Sequence, residues 1–267
     1  MQNDVLRVLF LGDVVGPPGL DVLREYAIDW RKELSLDLLI INGENLDHGS
    51  GITVRIAQEL LRLGVDVVTS GDHIWKNRDF VKRMEEFPFI IRPANYPPRA
   101  PGKGYVIWVG ADGTTVGIVN LIGRVFMYPM DCPFRKIEEI LVEIKEKAQI
   151  IIVDFHAEAT SEKVAMGYFL DGKVSAVLGT HTHIPTADAR VLKGGTAYIT
   201  DVGMVGPMDS VIGRKASAVL EKYIVGIPVR FPVAGPPVWV NGVLLEIDKK
   251  SGRAVSIQRW ERTIHLI

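Results

Sequence analysis

Residues 5–16 read VLRVLFLGDVVG and carry the pattern that decides the fold, a short apolar run that ends at Gly12-Asp13. Continuous apolar runs rich in β-branched residues are typical of strands buried on both faces of a sheet. The run Val5–Leu11 is therefore predicted to be a strand. The same pattern predicts five further strands, at Leu38–Asn42, Val65–Thr69, Thr115–Leu121, Ile150–Phe155 and Ala176–Gly179.

Helical periodicity fills the segments between these strands. Apolar residues at three-and-four spacing predict helices at Val22–Leu34, Val54–Leu63, Asp79–Glu86, Arg135–Lys147 and Glu162–Leu170. Near the carboxyl end, Val238–Ile247 and Arg253–Glu261 alternate around the turn at residues 248–252 and predict an antiparallel hairpin. We expect an α/β fold with two sheets packed face to face and flanked by helices, formed as a single domain over residues 1–267.

Composition limits the classes of function. The 31 basic and 32 acidic residues give a net charge of −1, so no overall positive field exists to hold a long nucleic acid. The single cysteine, Cys132, excludes an internal disulfide and any multi-cysteine metal site. A metal would therefore need histidine and carboxylate ligands. No apolar stretch long enough to span a membrane and no leader peptide is visible, so a soluble, cytoplasmic protein is expected.

Polar side chains follow five of the predicted strands, at the point where each strand ends. Carboxyl ends of strands form the ligand-binding edge in layered α/β folds, so these groups are expected to converge on one site. They are Asp13, then Glu44 and Asn45, then Asp72 and His73, then His156, and finally His181 and His183.

Several of these groups have a plainer interpretation when taken singly. Asp13 alone is more often part of a turn, and His156 alone is more often a hydrogen-bonded core residue. The His181-Thr182-His183 pattern is stronger, because extended backbone would place both rings on one side, about 6–7 Å apart. Carboxylate and amide oxygens with imidazole nitrogens suit manganese, iron or zinc better than magnesium or calcium. Seven such ligands exceed the four of a lone zinc ion and favour a two-metal site.

The order of these motifs resembles the calcineurin-like metallophosphoesterase superfamily. The finer similarity is to its YmdB-like branch, the 2′,3′-cyclic-nucleotide phosphodiesterases. The blocks that carry this resemblance run from residue 12 to residue 204 and cover most of the chain. They are GDVVG at 12–16, NGEN at 42–45, RPAN at 92–95, GRVFM at 123–127, DFHAEATSEK at 154–163, GTHTH at 179–183 and GTAYITDVGM at 195–204.

This resemblance implies a four-layer α/β-β/α fold with two bound metal ions, commonly iron or manganese. By the same resemblance, one metal would be held by Asp13, Glu44, Asn45 and His183, and the other by Glu44, Asp72, His156 and His181, with Glu44 as the bridge. His73 would be the acid that protonates the leaving oxygen. The implied reaction is hydrolysis of a 2′,3′-cyclic nucleotide to the 3′-nucleotide, with a metal-bridging hydroxide attacking phosphorus.

One position departs from the pattern of the family, which usually shows Gly-Asn-His where this chain has Gly71-Asp72-His73. Two divalent ions, a hydroxide and the carboxylates of Asp13 and Glu44 sum to a charge of about +1, which Asp72 lowers to about zero. An anionic ligand holds metals harder but makes them weaker Lewis acids. Asp72 is therefore expected to alter turnover or metal preference.

Substrate contacts are predicted less sharply. Arg92 and Arg124 could grip the phosphate or stack on a base, although arginine more often forms surface ion pairs. Asn95 is a weaker candidate, and Phe126 or Tyr198 could contact the nucleobase unless they belong to the core.

Three alternatives to the cyclic phosphodiesterase remain open. They are a phosphomonoesterase or nucleotidase on the same site, a regulatory protein whose metals are only structural, and an α/β domain with unrelated polar strand ends. The expected partner is a small cyclic nucleotide, with no long nucleic acid and no membrane, and a homo-oligomer is left open.

Overall fold

Strands and helices alternate along residues 4–266, the part of the chain that the structure, a computed structural model, describes. The strands are β1 (Val5–Val14), β2 (Leu38–Asn42), β3 (Val67–Thr69), β4 (Tyr105–Val109), β5 (Thr115–Ile122), β6 (Ile150–His156), β7 (Ala176–Thr180), β8 (Arg190–Val191), β9 (Ala197–Ile199), β10 (Met204–Pro207), β11 (Val238–Asp248) and β12 (Ala254–Ile264). The α-helices are α1 (Gly16–Glu33), α2 (Val54–Arg62), α3 (Arg78–Lys82), α4 (Pro133–Ile144), α5 (Thr160–Leu170) and α6 (Ala216–Val225).

The described strands form two six-stranded mixed sheets. The first has the order β12-β11-β10-β1-β2-β3, in which β10, β1, β2 and β3 are parallel and β11 and β12 form the predicted hairpin. The second has the order β4-β5-β6-β7-β9-β8, with a parallel centre and antiparallel strands at both edges. Because the central strands are parallel, their carboxyl ends lie along one edge of each sheet.

Three apolar layers hold the two sheets and their helices together. The middle layer lies between the sheets, where Val8, Phe10 and Ile40 of the first sheet meet Ile118 and Ile152 of the second. The outer face of the first sheet packs against α1, α2 and α3, and the outer face of the second packs against α4 and α5. The predicted four-layer α/β-β/α arrangement is confirmed, whereas formation of a single domain over residues 1–267 stays a prediction.

The structure corrects several boundaries predicted from the sequence. Helix α1 begins at Gly16 rather than Val22, because Pro17 and Pro18 occupy its first turn, where the missing amide protons cost nothing. The predicted helix at Asp79–Glu86 is shorter and is followed by a separate 3₁₀ turn at Met84–Glu86. Strands β4, β8, β9 and β10 and helix α6 were not predicted. Among the helices of residues 4–266, none combines the length and apolar character needed to cross a bilayer.

Candidate metal centre

The carboxyl ends of strands from both sheets meet at one place. Asp13 lies near the end of β1, Glu44 and Asn45 follow β2, and Asp72 opens a 3₁₀ turn after β3. From the second sheet, His156 is the last residue of β6, and the residues 181–183 follow β7. The backbone amide of His181 donates to Oδ2 of Asp13 at 3.0 Å, so the two sheets are linked directly at this edge.

Four of the predicted ligands form a compact group, namely Glu44, Asp72, His156 and His181. One ligand atom from each lies within 4.8 Å of all the others. Nε2 of His156 is central to the group, 3.3 Å from Oε2 of Glu44, 3.7 Å from Oδ1 of Asp72 and 3.0 Å from Nδ1 of His181. This spacing can accommodate a metal ion.

Gly71 makes room for that group. A β-carbon at this position would lie 2.2 Å from both Oε2 of Glu44 and Nε2 of His156. Such contacts are far inside van der Waals range, so a side chain here would displace two of the ligand atoms. The glycine before Asp72 is therefore required by the close approach of the group.

A second group shares Glu44 and lies on the other side of it. Nδ2 of Asn45 is 3.1 Å from Oε1 of Glu44 and 3.2 Å from Nε2 of His183, which is itself 3.8 Å from Oδ1 of Asp13. Nδ1 of His183 lies 3.0 Å from the carbonyl oxygen of Ile212, which fixes the ring and turns Nε2 inward. The structure thus brings together all seven predicted ligands.

Two buried carboxylate oxygens in these groups lack a hydrogen-bond partner in the described part of the chain, which bears on whether a cation fits. Oδ1 of Asp13 and Oδ1 of Asp72 are both buried and have no hydrogen-bond partner among the described residues. An unpaired buried carboxylate oxygen is costly unless a proton or a cation satisfies it. One such oxygen lies in each group, so a bound cation would satisfy an otherwise unpaired oxygen in either group.

The charges of the centre are strongly coupled. Burial alone would raise the pKa of Glu44, but the attraction and hydrogen bonds of His156 and His73 hold it well below its usual range. Burial raises the pKa of Asp13. Burial and the neighbouring His156 together lower the pKa of His181 to about 3, so this imidazole is neutral, which is the form that binds a metal.

His73 occupies a distinct place beside the shared Glu44. Its backbone amide donates to Oε2 of Glu44 at 3.1 Å, and its Nδ1 lies 2.8 Å from Oδ1 of Asn45. The other ring nitrogen, Nε2, makes no hydrogen bond to the described part of the chain and lies 3.9 Å from Oδ2 of Asp72. The Nδ1 edge of the ring is therefore held by the centre, and His73 also lines the cavity that adjoins it.

The predicted geometry of the His181-Thr182-His183 segment is wrong in one respect. Strand β7 ends at Thr180, and His181 and His183 have φ angles of +99° and +65°, so the backbone is not extended there. Such angles are uncommon for histidine and need support from surrounding contacts. The support comes from Asp201, whose Oδ2 accepts hydrogen bonds from the backbone amide and the hydroxyl of Thr182 at 3.1 and 2.8 Å.

Asp201 is itself held by a buried ion pair. Nζ of Lys163, on α5, donates to Oδ2 of Asp201 at 2.6 Å, and both side chains are almost fully buried. We expect Lys163→Met to lower the free energy of unfolding by about 3 kcal/mol, because it leaves a buried carboxylate without its counter-charge. Urea unfolding measures this loss. The matched control is Lys147→Met, which removes an exposed pair with Glu143 and should cost less than about 1 kcal/mol; equal losses in the two variants would contradict the prediction.

A polar network beneath the centre joins the two sheets and was missed by sequence reasoning. Nδ2 of Asn42 donates to Oδ2 of Asp154 at 3.0 Å, and the hydroxyl of Thr180 donates to Oδ1 of Asp154 at 2.7 Å. The same hydroxyl lies 2.9 Å from Nδ1 of His156 and orients that ring. Asp154 is two residues before His156, so alternation along a strand was the one available signal.

Glu158 also contacts the centre without having been predicted. Its Oε2 lies 3.0 Å from Nε2 of His181, which leaves Nδ1 of that ring for the ligand group. A carboxylate on the far nitrogen of a ligating histidine fixes the tautomer and orientation of the ring.

Three of the weaker candidates for substrate contacts, the polar ones, lie in different surroundings in the structure. Asn95 is fully buried, and its side chain bonds the backbone of Ile122 and Asp131, so it is not brought to the centre. Arg92 is also buried and donates to the carbonyl of Pro93. Arg124 is exposed, and its backbone amide donates to the carboxylate of Glu162.

Comparison with known protein families settles the relationship. The sequence model of the YmdB-like protein family matches residues 9–260. The chain belongs to the YmdB-like family. Over 254 residues this YmdB-like chain is 44% identical to the 2′,3′-cyclic-nucleotide 2′-phosphodiesterase of Bacillus subtilis strain 168, an alignment covering 95% of the chain and 96% of that protein. It is 35% identical over 263 residues to a putative phosphatase/phosphodiesterase of Mycoplasma genitalium, with 96% and 92% covered.

Solved structures agree with the YmdB-like assignment. A hypothetical protein from Thermus thermophilus superimposes with a TM-score of 0.91 at 41% identity, covering 97% of this chain and all of that one. A structure described as a novel phosphatase, from Mycoplasma pneumoniae, also gives a TM-score of 0.91, at 31% identity with 98% and 95% covered. Both relatives share the whole two-sheet architecture.

Proposed function

We propose that this YmdB-like chain is a metal-dependent phosphodiesterase that hydrolyses 2′,3′-cyclic nucleotides to 3′-nucleotides. The observation that carries the proposal is the compact group of Glu44, Asp72, His156 and His181, with a buried, unpaired carboxylate oxygen beside it. The name of the Bacillus subtilis relative, at 44% identity over nearly the full chain, supplies the substrate class.

The proposal assigns seven residues to two metal ions, iron or manganese, with zinc as a further candidate. Asp13, Glu44, Asn45 and His183 would hold one ion. Glu44, Asp72, His156 and His181 would hold the other, with Glu44 shared. When bound, such ions supply a nucleophile from water at neutral pH and positive charge for the developing negative charge at phosphorus. Two unpaired oxygens, one in each group, support the count of two.

Asn45 couples this ligand set to His73. Its Nδ2 faces Glu44 and His183, whereas its Oδ1 faces Nδ1 of His73. Ligation through the oxygen requires the amide to rotate by half a turn, which would bring Nδ2 against the histidine. Nδ1 of His73 would then accept a hydrogen bond, and the ring proton would reside on Nε2, which has no hydrogen-bond partner among the described residues. His73 would use this proton to neutralise the departing 2′ oxygen.

Asp72 sets the charge of the centre in this proposal. We expect Asp72→Asn to raise turnover of 2′,3′-cyclic AMP about tenfold or more under matched metal loading, because a neutral ligand leaves the ions more strongly acidic. Metal affinity should fall in the same variant. Steady-state kinetics with metal content measured on the same sample checks both effects.

Asp79→Asn, an exposed change on the following helix, is the control for that experiment. Identical kinetics of the Asp72→Asn variant and the parent chain would contradict the assigned role of Asp72.

A phosphomonoesterase activity on the same centre is the second candidate function. Two similar proteins are named as phosphatases in whole or in part. A paired assay of 2′,3′-cyclic AMP against 3′-AMP separates the two candidates. Faster release of phosphate from 3′-AMP than opening of the cyclic diester would favour the phosphomonoesterase.

A third candidate, a regulatory protein with structural metals, would bind cyclic nucleotides without hydrolysing them. Purified protein with two metals and no turnover of any phosphodiester would support that alternative. The proposal keeps a small cyclic nucleotide as the partner and a cytoplasmic location, and leaves assembly into a homo-oligomer to be measured by solution mass.

A further inference from the structure

The consecutive residues Phe126–Pro129 form an apolar surface, here called the wall, beside the candidate metal centre. A cavity of about 340 Å³ opens between the two, within the size range of about 300–1,000 Å³ that is usual for small-ligand sites. Asp72 and His181 line one side of this cavity. The other side is formed by the consecutive residues Phe126, Met127, Tyr128 and Pro129.

Two aromatic side chains of this wall are unusually exposed. The side chain and backbone of Phe126 are 90% exposed to solvent, and those of Tyr128 are 73% exposed. Exposed aromatic rings contribute little to the free energy of folding, because the hydrophobic effect rewards only the apolar area removed from water. Their placement at the rim of a polar site suits a flat ligand that covers them.

The segment that carries these rings is anchored at both ends. The carboxylate of Glu162, on α5, accepts hydrogen bonds from the backbone amides of Arg124 at 3.1 Å and Val125 at 3.2 Å. At the other end, Nδ2 of Asn95 donates to the carbonyl oxygen of Asp131 at 2.9 Å. The wall is therefore held in place before any ligand arrives, which lowers the entropy lost on binding.

The backbone turns sharply at the exposed ring. The amide of Met127 donates to the carbonyl oxygen of Arg124 at 3.3 Å, and Phe126 between them has a φ angle of +62°. Glycine is the residue favoured at such a position, and a bulky aromatic there costs conformational energy. The protein bears this conformational cost at a turn that leaves the ring of Phe126 exposed.

We propose that Phe126, assisted by Tyr128, is the platform on which the nucleobase of the cyclic nucleotide stacks. The cyclic phosphate would lie at the end of the cavity formed by Asp72 and His181. Stacking on an aromatic ring tolerates different bases, because every base has a π face, and it favours the larger purines. This inference rests on the proposed function and adds the residue that recognises the base.

The test compares a substrate that has a base with one that lacks it. The substrates are 2′,3′-cyclic AMP and methyl ribofuranoside 2,3-cyclic phosphate. We expect Phe126→Ala to raise KM for cyclic AMP about tenfold, with kcat within about twofold, and to leave the kinetics of the base-free diester unchanged. Phe126→Trp should restore the KM for cyclic AMP, because it replaces one stacking surface with another.

Tyr168→Ala is the matched control, since this tyrosine on α5 is 64% exposed and lines neither cavity of the centre. An unchanged KM for cyclic AMP in Phe126→Ala, or an equal change for both diesters, would overturn the inference. So would a change in solution mass on removing the ring, which would make it a contact between subunits.

Failure of the proposed function gives a different result. If the parent chain with two metals opens neither diester, the phosphodiesterase proposal fails, and binding of the two compounds measured by calorimetry then decides the inference. Tighter binding of cyclic AMP that is lost in Phe126→Ala supports the platform. Equal affinity of the parent chain for both compounds contradicts it.

Discussion

Replacing Glu44 with glutamine is expected to lower turnover of 2′,3′-cyclic AMP by more than about 100-fold. Changing a residue that only supports a metal ligand already costs about 10–100-fold, and Glu44 is proposed to contact both ions itself. Glu44 is 1% exposed, and its two oxygens face opposite sides. Oε2 lies 3.3 Å from Nε2 of His156, and Oε1 lies 3.1 Å from Nδ2 of Asn45. The neutral amide would remove the one carboxylate that both groups of ligands share.

Two measurements are needed to interpret the Glu44→Gln variant. Elemental analysis should show less than two metals per chain, and thermal unfolding should show that the variant is folded. Glu139→Gln, at an exposed position on α4, is the control and should retain both metals and activity. A Glu44→Gln variant with full metal content and parental turnover would remove this residue from the centre.

Changing His73 to glutamine should lower kcat for 2′,3′-cyclic AMP by about 10²–10⁴-fold, the usual contribution of a positioned general acid. His73 reaches the centre through its backbone amide and Nδ1, and Nε2 is left without a hydrogen-bond partner among the described residues. Because the residue is not among the proposed metal ligands, metal content should stay at the parental value. The loss would therefore lie in proton transfer.

The leaving group distinguishes proton transfer from a structural effect. Bis(p-nitrophenyl) phosphate releases a phenolate that needs no proton, so His73→Gln should slow this substrate far less than cyclic AMP. His48→Gln is the control, because His48 is exposed and has no assigned role. Equal losses on both substrates would show that His73 positions the centre rather than donating a proton.

The long buried elements of the fold were predictable because each one has a strong periodic pattern. Strands β5, β6 and β7 and the hairpin of β11 and β12 lie close to their predicted positions. Strands β9 and β10 have only three and four residues, and they are strands because they pair with β7 and β1 far away in the sequence. Local pattern holds no information on such pairing. Helix α6 was not predicted, and Val219 is its one buried residue in the described structure, whereas its apolar residues Leu220, Tyr223 and Ile224 are exposed.

The residues of the candidate site that end strands were predictable from the sequence, and the residues that support them were not. Residues at strand ends, such as Asp13 and His156, converge because parallel strands must end along one edge. The residues that hold those ligands in place have no comparable pattern in the sequence. Lys163 lies on a helix and Asp201 in a loop 38 residues later, and their contact depends on tertiary packing. The side chain of Asn95 resembled a binding group, but its Nδ2 donates to two backbone carbonyl oxygens and its Oδ1 accepts from a backbone amide.

The two sheets contribute chemically different atoms to the centre. Among the seven proposed ligands, the carboxylate and amide groups come from residues 13–72, which extend from the first sheet, and the ring nitrogens come from residues 156–183, which extend from the second. Under the proposed assignment, the separation of the sheets fixes the balance of hard oxygen and softer nitrogen donors around each ion. The close-packed apolar layer between the sheets sets that separation. Under that assignment, core residues that never touch an ion would contribute to metal selectivity through the spacing of the sheets.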